Sequence, residues 1–417
     1  MVDRPCILCG RCLEVCPLVA VTGREELSPK AKQQLSAALA DLALSEVTVP
    51  QAAGLSGRAI VDLAGLCLSC GRCVAACPQG LAGAEIVASL RAAYSDWRQW
   101  LWKIWLEYGG LWSVAVGLGH ILQKSVVTMG IWNGVAMSTL NCPPAAQRAT
   151  GTASQLAPWL RVTRFDITAD RAHIGTAAIF PGCLAGLVTI PWLATVEWVL
   201  VGLGFRLAST ADGPGWGCCG ATLGHAGLPE ARLEVAQRNL AQWRALGRPL
   251  VVTFCASCRA GLASYAVDSA LNWVVSLWEP GEAEVWIASL QPLAFLWGET
   301  DFVVEPWAPK TICYHQPCHA LPDDFDLVWL HRVLGERLRF PGSGRCCGLG
   351  GGVMQMVAPG LAAKVTAALW EMLVTPNGRA ETSVFTGCIG CLLRLKVTAP
   401  AGVVVGHWLE ILLPLRS

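Results

Sequence analysis

Charged side chains are scarce in this sequence of 417 residues, and the two signs are balanced. Aspartate, glutamate, lysine and arginine make up 15% of the chain, with 31 basic residues, 30 acidic residues and a net charge of +1. A protein that binds nucleic acid concentrates basic residues on one face or in one run. No such run occurs in this sequence, so we expect no nucleic-acid partner.

Apolar runs long enough to cross a bilayer are also missing, although 53% of the residues are hydrophobic. Between Glu107 and Lys124 lie 16 uncharged residues, which is fewer than the roughly 18 that a membrane-spanning helix needs. The longer stretch at 174–196 is interrupted by Pro181 and Pro191. This pattern favours the strand, turn and helix of a buried α/β unit over a bilayer span. We therefore expect no transmembrane helix.

Signals for secretion and for nucleotide binding are absent as well. The first residues lead directly to Cys6 without the apolar segment of a signal peptide. The chain has neither a Rossmann fingerprint in its strand-turn-helix context nor a Walker lysine. We expect a cytoplasmic protein with reduced cysteines, and we expect no flavin in this chain.

Cysteine, by contrast, is abundant, with 20 residues. Two N-terminal runs share the spacing Cys-x2-Cys-x2-Cys-x3-Cys-Pro, which is typical of ligands of cubane iron–sulfur clusters. The first run is Cys6, Cys9, Cys12 and Cys16, and the second is Cys67, Cys70, Cys73 and Cys77. In such runs the fourth cysteine typically ligates the cluster of the other run. The spacing therefore predicts a ferredoxin-type module that carries electrons.

The exchange of the fourth cysteines gives a specific ligand prediction for two [4Fe-4S] clusters. Cluster I takes Cys6, Cys9, Cys12 and Cys77, and cluster II takes Cys67, Cys70, Cys73 and Cys16. Zinc is the alternative, because Cys-x2-Cys loops also bind zinc. Zinc does not explain a repeated four-cysteine run that ends in proline. A disulfide framework is disfavoured, because disulfide-dense proteins are usually small and secreted.

A second cysteine pattern occurs twice in the C-terminal half. In each copy an apolar strand ends at a cysteine, a Cys-Cys-Gly motif follows, and another apolar strand ends in Cys-x2-Cys. The first copy holds Cys183, Cys218, Cys219, Cys255 and Cys258, and the second holds Cys318, Cys346, Cys347, Cys388 and Cys391. Strands that alternate with helices predict parallel α/β units, whose sites lie at the carboxyl ends of strands. We expect two tandem α/β half-domains related by pseudo-twofold symmetry.

The paired cysteines of each copy suit metal ligation better than disulfide formation. Adjacent cysteines reach disulfide geometry only with strain, whereas the glycine that follows them lets the backbone turn beside a cluster. We predict one or two further iron–sulfur clusters in the repeats, with zinc at one site as the alternative. The glycines of 348–352 then pack against a cluster, since no phosphate-loop context accompanies them. His315 and His319 either tune a cluster or cap a turn.

The sequence divides into four expected domains. They are the two-cluster module at 1–90, a Trp-rich helical segment and linker at 91–172, and the two cysteine-rich domains at 173–300 and 301–417. An inserted helix is expected at 22–45, between the two N-terminal runs. The Trp-rich segment contains Trp97, Trp100, Trp102, Trp105 and Trp112. Three roles stay open for it: core packing, docking of a partner, and contact with a membrane surface.

These motifs resemble a known family. The tandem Cys-Cys-Gly pattern is similar to the cysteine-rich domain of heterodisulfide reductases. It is carried by Phe180-Pro181-Gly182-Cys183, Tyr314-His315-Gln316-Pro317-Cys318-His319 and Cys346-Cys347-Gly348-Leu349-Gly350-Gly351-Gly352. Two ferredoxin-type loops followed by two such domains resemble the iron–sulfur subunit of glycolate oxidase. The resemblance covers nearly the whole chain, and the Trp-rich segment departs from it.

The resemblance implies an electron-transfer subunit that performs no substrate chemistry alone, so no catalytic residue is assigned. Its partner would be an FAD-containing subunit that oxidises a 2-hydroxy acid such as glycolate or D-lactate. Electrons would pass to quinone or another carrier, with peripheral contact at the cytoplasmic face of the membrane. The architecture also resembles subunits of anaerobic glycerol-3-phosphate dehydrogenase and of heterodisulfide reductase. Reduction of a disulfide at a repeat therefore stays as an alternative.

Overall fold

The computed structural model describes most of the chain. The described residues are 6–44, 62, 63, 65–81, 83–94, 97, 99, 100, 103, 104, 158–167, 175–182, 190–209, 213–267, 277–320, 323–342, 345–374 and 383–413. Cys183, Trp102, Trp105, Trp112 and nearly all of the linker expected at 141–158 lie outside them. Among the described residues, no helix is both long enough and apolar enough to cross a membrane.

Helices and short strands make up most of the described structure. In chain order the helices are α1 Arg11–Glu14, α2 Pro17–Thr22, α3 Pro29–Leu44, α4 Arg72–Ala76, α5 Gly83–Ala93, α6 Ile190–Gly202, α7 Ala221–Ala226, α8 Pro229–Ala245, α9 Ala256–Val267, α10 Glu282–Ser289, α11 Leu293–Leu296, α12 Phe325–Leu334, α13 Val353–Val357, α14 Pro359–Leu373 and α15 Ile389–Thr398. The strands are β1 Leu160–Arg164, β2 Thr176–Ile179, β3 Arg206–Leu207, β4 Leu250–Thr253, β5 Leu290–Pro292, β6 Asp301–Val304, β7 Ile312–His315, β8 Leu338–Arg339, β9 Ser383–Thr386, β10 Val404–His407 and β11 Leu412–Leu413.

The chain forms two compact units whose segments alternate along the sequence. The first unit consists of Met1–Asn141, Thr222–Pro229 and Ser343–Glu371, and the second of Cys142–Ala221, Glu230–Gly342 and Met372–Ser417. The first unit therefore takes two segments from the cysteine-rich repeats. The domain limits expected at 90, 172 and 300 stay predictions.

In the first unit, the two N-terminal cysteine runs share one backbone conformation. Leu8 and Ser69 occupy equivalent positions and have φ angles of 56° and 50°. Gly10 and Gly71 precede α1 and α4 with φ angles of 80° and 70°. These left-handed residues turn each loop tightly between its first and third cysteines, a conformation that glycine adopts at little cost.

Helix α3 fills the insertion between the two runs, as the sequence predicts. Its start is encoded locally, because Ser28 Oγ accepts a hydrogen bond from the Ala31 amide at 3.2 Å and Pro29 occupies the first turn. The helix packs on α5. The first turn of α3 lies beside the second cysteine run, since Lys32 Nζ donates a hydrogen bond to Leu66 O.

In the second unit, each repeat contains a four-stranded sheet with the same topology. The first sheet has the order β3-β2-β4-β5 and the second the order β8-β7-β9-β10, and all neighbouring strands are parallel. Taken in chain order within each repeat, both orders are 2-1-3-4. Strands β7 and β9 are buried along their whole length, as expected for parallel strands covered on both faces. The α/β fold class is therefore confirmed.

A third sheet and a tryptophan-rich core complete the second unit. Strand β1 pairs parallel with β11 and antiparallel with β6. The largest fully buried side chains include Trp159, Trp243, Trp286, Trp297 and Trp408. The Trp243 and Trp286 rings meet edge to face with their centroids 5.1 Å apart, a favourable geometry for aromatic pairs. Most of the described tryptophans of this unit thus serve the core.

Two tryptophans of the Trp-rich segment behave differently. Trp97 is 59% exposed and Trp100 is 60% exposed. Large exposed aromatic side chains are more typical of contact surfaces than of a core. The three roles considered for the whole segment stay predictions, because most of it lies outside the described residues.

Candidate metal centres

The cysteines predicted for cluster I line one cavity in the first unit. Its wall contains Cys6, Cys9, Cys12, Ile7, Gly10, Pro29, Lys30, Gln33, Cys73, Cys77, Gln79 and Leu81. All four predicted ligands are in this set, including the fourth cysteine of the second run. Cys9 is exposed, whereas Cys6, Cys12 and Cys77 are half-buried. The cavity therefore has an accessible side at Cys9.

The cysteines predicted for cluster II form a second group. Burial and the neighbouring thiols of Cys67 and Cys16 raise the pKa of Cys73 to about 12. Burial also raises the pKa of Cys16, and the thiol of Cys67 adds to this shift. Cys16 is thus next to the second run although it belongs to the first. Cys70, the remaining predicted ligand, is half-buried.

The donor chemistry of both groups fits iron–sulfur clusters. Thiols gathered in little water resist ionisation together, because each thiolate repels the next and burial disfavours charge. A soft cation removes this cost and favours the thiolate form. The amide of Ser69 lies 3.4 Å from Cys67 Sγ, and amide–sulfur hydrogen bonds of this kind accompany bound clusters. Four cysteines in each group match the ligand number of a cubane.

In the second unit, the Cys-x2-Cys loops of the two repeats meet. Six thiols form a continuous series in which each lies within hydrogen-bonding distance of the next. This thiol line runs in the order Cys218, Cys219, Cys258, Cys255, Cys388 and Cys391. The equivalent loops also share a backbone bond, since the Ala256 amide donates to Gly387 O at 2.9 Å. The sequence indicated one constellation for each repeat but gave no sign that the two loops touch.

The protonation preferences along the thiol line differ from one cysteine to the next. Hydrogen bonding to Cys218 raises the pKa of Cys219 well above its usual value. The hydrogen bond from Cys258 lowers the pKa of Cys255, but Cys388 and burial outweigh it and raise this pKa to about 12. Hydrogen bonds from Cys255 and Cys391 hold the pKa of Cys388 well below its usual value. Ionisation is therefore favoured at Cys388 and disfavoured at Cys219 and Cys255.

The first Cys-Cys-Gly motif is held by residues from α8 and α9. Asn239 Nδ2 donates to Cys218 O at 2.8 Å, and Tyr265 Oη donates to Cys219 O at 2.9 Å. Gly261 leaves room for the second thiol, because a Cβ there would lie 2.9 Å from Cys219 Sγ. The Cys183 thiol, also predicted for this site, lies outside the described residues.

A serine that sequence reasoning did not select joins the thiol line to a histidine. Ser257 Oγ lies 3.1 Å from Cys388 Sγ and 2.9 Å from His319 Nδ1. His315, the other histidine near Cys318, has a ring nitrogen within 4.8 Å of Cys391 Sγ. Ser257 is one of the two spacer residues of its Cys-x2-Cys motif, and this position was its only signal in the sequence. Cys318 itself is half-buried.

The second Cys-Cys-Gly motif belongs to the first unit. Cys346 and Cys347 are buried, and Thr366 Oγ1 donates to Cys347 O at 2.8 Å. The amide of Gly348 lies 3.4 Å from Cys346 Sγ. Gly348 has a φ of +83°, and a Cβ there would lie 2.7 Å from Ala362 O. The glycine of the motif is therefore required both by its backbone angle and by close packing.

Comparison with known proteins agrees with this arrangement. Residues 4–81 match the 4Fe-4S dicluster domain, and residues 177–263 and 312–396 match the cysteine-rich domain. The chain is 23% identical to the probable glycolate oxidase iron-sulfur subunit of Bacillus subtilis (strain 168) over 418 residues, covering 94% of this chain and 88% of the relative. No solved structure matches the chain.

The matches to the two domain models together cover more than half of the sequence and follow the order in which the cysteine motifs occur. The chain therefore consists of a 4Fe-4S dicluster domain followed by two cysteine-rich domains, the order found by both the motifs and the domain matches.

Proposed function

We propose that this chain is the iron–sulfur electron-transfer subunit of a flavin-dependent 2-hydroxy-acid dehydrogenase of the glycolate or D-lactate type. The observation that carries the proposal is the grouping of the N-terminal cysteines. Cys77 lines one cavity with Cys6, Cys9 and Cys12, while Cys16 lies beside Cys67 and Cys73. Similarity to the B. subtilis subunit over most of both chains supports the substrate class.

The eight N-terminal cysteines would hold two [4Fe-4S] clusters, which supply one-electron storage and transfer when bound. The chain's own residues hold the ligands in place and control access to them. The left-handed residues Leu8 and Ser69 turn the two loops tightly. Exposed Cys9 marks the side from which a partner reaches cluster I.

The cysteines of the two repeats would hold one or two further iron–sulfur clusters. The thiol line supports this proposal, because it brings more soft ligands together than a single zinc ion uses. Zinc at one repeat stays as the alternative. Cys183 and Cys318 belong to this proposed ligand set, as do Cys346 and Cys347 of the first unit.

The electron donor would be a separate FAD-containing subunit, because the one G-x-G-x-x-G spacing of this sequence, at 215–220, contains the first Cys-Cys-Gly motif and does not directly follow a strand. The acceptor would be a quinone reductase or another carrier. The proposed location is the cytoplasm, with peripheral contact at the membrane. The chain itself would position clusters and set their potentials, and it would perform no step on the hydroxy acid.

The test is anaerobic purification of the tagged chain from its native cell. We expect a flavoprotein to co-elute in stoichiometric amount, and addition of glycolate or D-lactate to reduce the clusters of the complex. The same complex carrying Cys9→Ser is the matched control, and it should keep its flavin but lose the signal of cluster I. A lone, flavin-free chain whose reduced form is oxidised by a disulfide would contradict the proposal and favour the reductase.

A further inference from the structure

Two cationic side chains are buried in the first unit, where charged groups are rarely found unless they are paired. Lys32 on α3 is 2% exposed and Arg91 on α5 is 3% exposed. Burial lowers the pKa of both groups, so their placement costs stability unless negative charge compensates it. Lys32 and Arg91 lie on helices that pack against each other.

Both side chains hold the backbone that leads into the second cysteine run. Lys32 Nζ donates to Leu27 O at 3.1 Å and also to Leu66 O, directly before Cys67. Arg91 Nη2 donates to Gly65 O and to Cys67 O, each at 2.9 Å. The two cations therefore converge on the start of the cluster II loop from two helices.

Burial is the main influence on the pKa of both cations, and the groups that oppose it are cysteines in their thiolate form. Cys67, Cys16 and Cys73 act in this way on the pKa of Lys32, and Cys67 does so on the pKa of Arg91. Among the ion pairs of the described residues, none joins either cation to a carboxylate. Two buried positive charges are thus held by the backbone at Cys67, a predicted ligand of cluster II.

Cluster I has a different electrostatic setting, although its loop has the same backbone conformation. Lys30 lines that cavity, and its Nζ is paired with Glu25 Oε1 at 2.9 Å. The Glu25 side chain is 61% exposed, so solvent and the carboxylate both weaken the field of this lysine. The dicluster domain is therefore electrostatically asymmetric.

We propose that Lys32 and Arg91 are the positioning residues that set the reduction potential of cluster II and raise it selectively. This inference rests on the proposed function, because it requires a cluster at these cysteines. Reduction adds one electron to a cluster that four thiolates already make anionic. A fixed positive charge in a poorly solvated site stabilises the reduced form more than the oxidised form. The hydrogen bonds to Leu66 O and Cys67 O keep both charges beside the loop.

The test is an anaerobic redox titration of the full chain followed by electron paramagnetic resonance. The primary variant is Lys32→Gln, which removes the charge and keeps two donor hydrogens for the carbonyls. We expect the ratio of reduced to oxidised cluster II to fall about tenfold at fixed potential, since one opposite charge nearby shifts such equilibria by about one to three powers of ten. For one electron this is a downward shift of about 59 mV. The signals are assigned with Cys9→Ser, which removes cluster I.

Two matched variants separate charge from position. Lys32→Arg keeps the positive charge. The ratio of reduced to oxidised cluster II at fixed potential should therefore change by less than twofold. Lys30→Gln removes a charge from the same helix two residues away and should leave cluster II unchanged. Arg91→Gln should lower the midpoint of cluster II in the same direction as Lys32→Gln.

Each unfavourable outcome has a definite meaning. If the wild-type chain shows no cubane signals, the proposed function itself fails. If two signals are present and Lys32→Gln and Arg91→Gln leave both midpoints unchanged, the proposed function survives and this inference is wrong. If Lys32→Gln and Arg91→Gln both lose the iron of cluster II, the two residues are needed for assembly of that cluster. This outcome also overturns the inference, whatever the result for Lys32→Arg.

Discussion

At the scale of single residues, the grouping of Cys77 with the first cysteine run could be predicted from the sequence, whereas the side chains that act on the cysteines could not. The cysteine runs could be identified because their spacing is dictated by the cluster and lies within one short loop. Lys32 and Arg91 come from helices that approach the loop only after folding, so spacing gives no signal for them. The only sequence signal for Ser257 was its position between the two cysteines of a Cys-x2-Cys motif. Charge and hydrogen bonding near a metal site are tertiary properties, which local pattern does not encode.

Glu282 at the start of α10 provides a stability prediction at the same scale. Its side chain is 4% exposed and is paired with Arg244 and Arg248. The hydrogen bond from Arg244 is the main reason why its pKa falls to about 2. Against an ordinary value of 4.5, this shift corresponds to about 3 kcal/mol of stability at pH 7. We expect Glu282→Gln to lower the free energy of unfolding by that order, measured by anaerobic urea unfolding followed by tryptophan fluorescence.

The pH dependence of this effect has a definite sign. A depressed pKa stabilises the folded chain above about pH 4.5, and the contribution is lost as pH falls towards 2. The difference in the free energy of unfolding between wild type and Glu282→Gln should therefore be constant near neutral pH and should become smaller in acid. Glu279→Gln is the matched control, because the Glu279 side chain is 71% exposed and forms its ion pair with Arg248, which is itself 42% exposed. Exposed pairs contribute about 0–1 kcal/mol, and an equal loss in both variants would contradict the interpretation.

At the scale of elements, the sequence predicted the repeated α/β unit. It did not predict the contact between the Cys-x2-Cys loops of the two copies. Alternating strands and helices indicated parallel α/β units, and both sheets have the order 2-1-3-4. The cysteines follow strand ends, as the pattern required. The contact between Cys255 and Cys388 depends on how one sheet packs beside the other. No periodicity along the chain carries that information.

Gly227 follows α7 and packs closely against α5, so a substitution there measures how much this contact contributes to stability. It has a φ of +78°, and a Cβ there would lie 2.6 Å from Ala92 N and 2.7 Å from the carbonyl carbon of Arg91. Both atoms belong to backbone, so neither can rotate away. We expect Gly227→Ala to cost well over 2 kcal/mol of stability, because a left-handed penalty of about 1–2 kcal/mol is added to a steric clash. The measurement is anaerobic thermal unfolding by circular dichroism.

Gly247 is the matched control for this substitution. It has the same φ of +78°, but a Cβ there would meet nothing within 4 Å. Gly247→Ala should therefore show only the conformational penalty of about 1–2 kcal/mol. If the two alanine variants unfold at the same temperature, the close approach of residue 227 to α5 does not limit stability. A fall of cluster II iron in Gly227→Ala alone would connect the packing to Arg91.

At the scale of the whole molecule, the order of the modules could be predicted from the sequence, whereas the segments that join in each compact unit could not. The three domain matches follow the expected order along the chain. The first compact unit nevertheless includes Thr222–Pro229 and Ser343–Glu371 from the repeats. Sequence patterns locate strands and helices. The compact unit to which a segment belongs depends on which apolar faces pack together after folding. The second Cys-Cys-Gly motif is part of this regrouping.

The iron content of matched cysteine variants tests the division of labour in the whole chain. Two cubanes account for about eight irons, so we expect wild-type protein to contain more than eight irons per chain if the repeats also hold a cluster. Cys9→Ser should remove the signal of cluster I and spare the signals of the repeats. Cys258→Ser should do the reverse, because Cys258 lies inside the thiol line between Cys219 and Cys255. Metal analysis and electron paramagnetic resonance of the three proteins make the comparison.

The alternatives give different metal contents, so the same measurement separates them. A zinc scaffold in the repeats would give about eight irons with one or two zinc ions, and Cys258→Ser would then release zinc and keep both iron signals. Independent modules require that each variant loses only its own signals, since the eight N-terminal ligands and the thiol line lie in different compact units. Loss of every cluster in both variants would instead mean that neither set of cysteines assembles without the other.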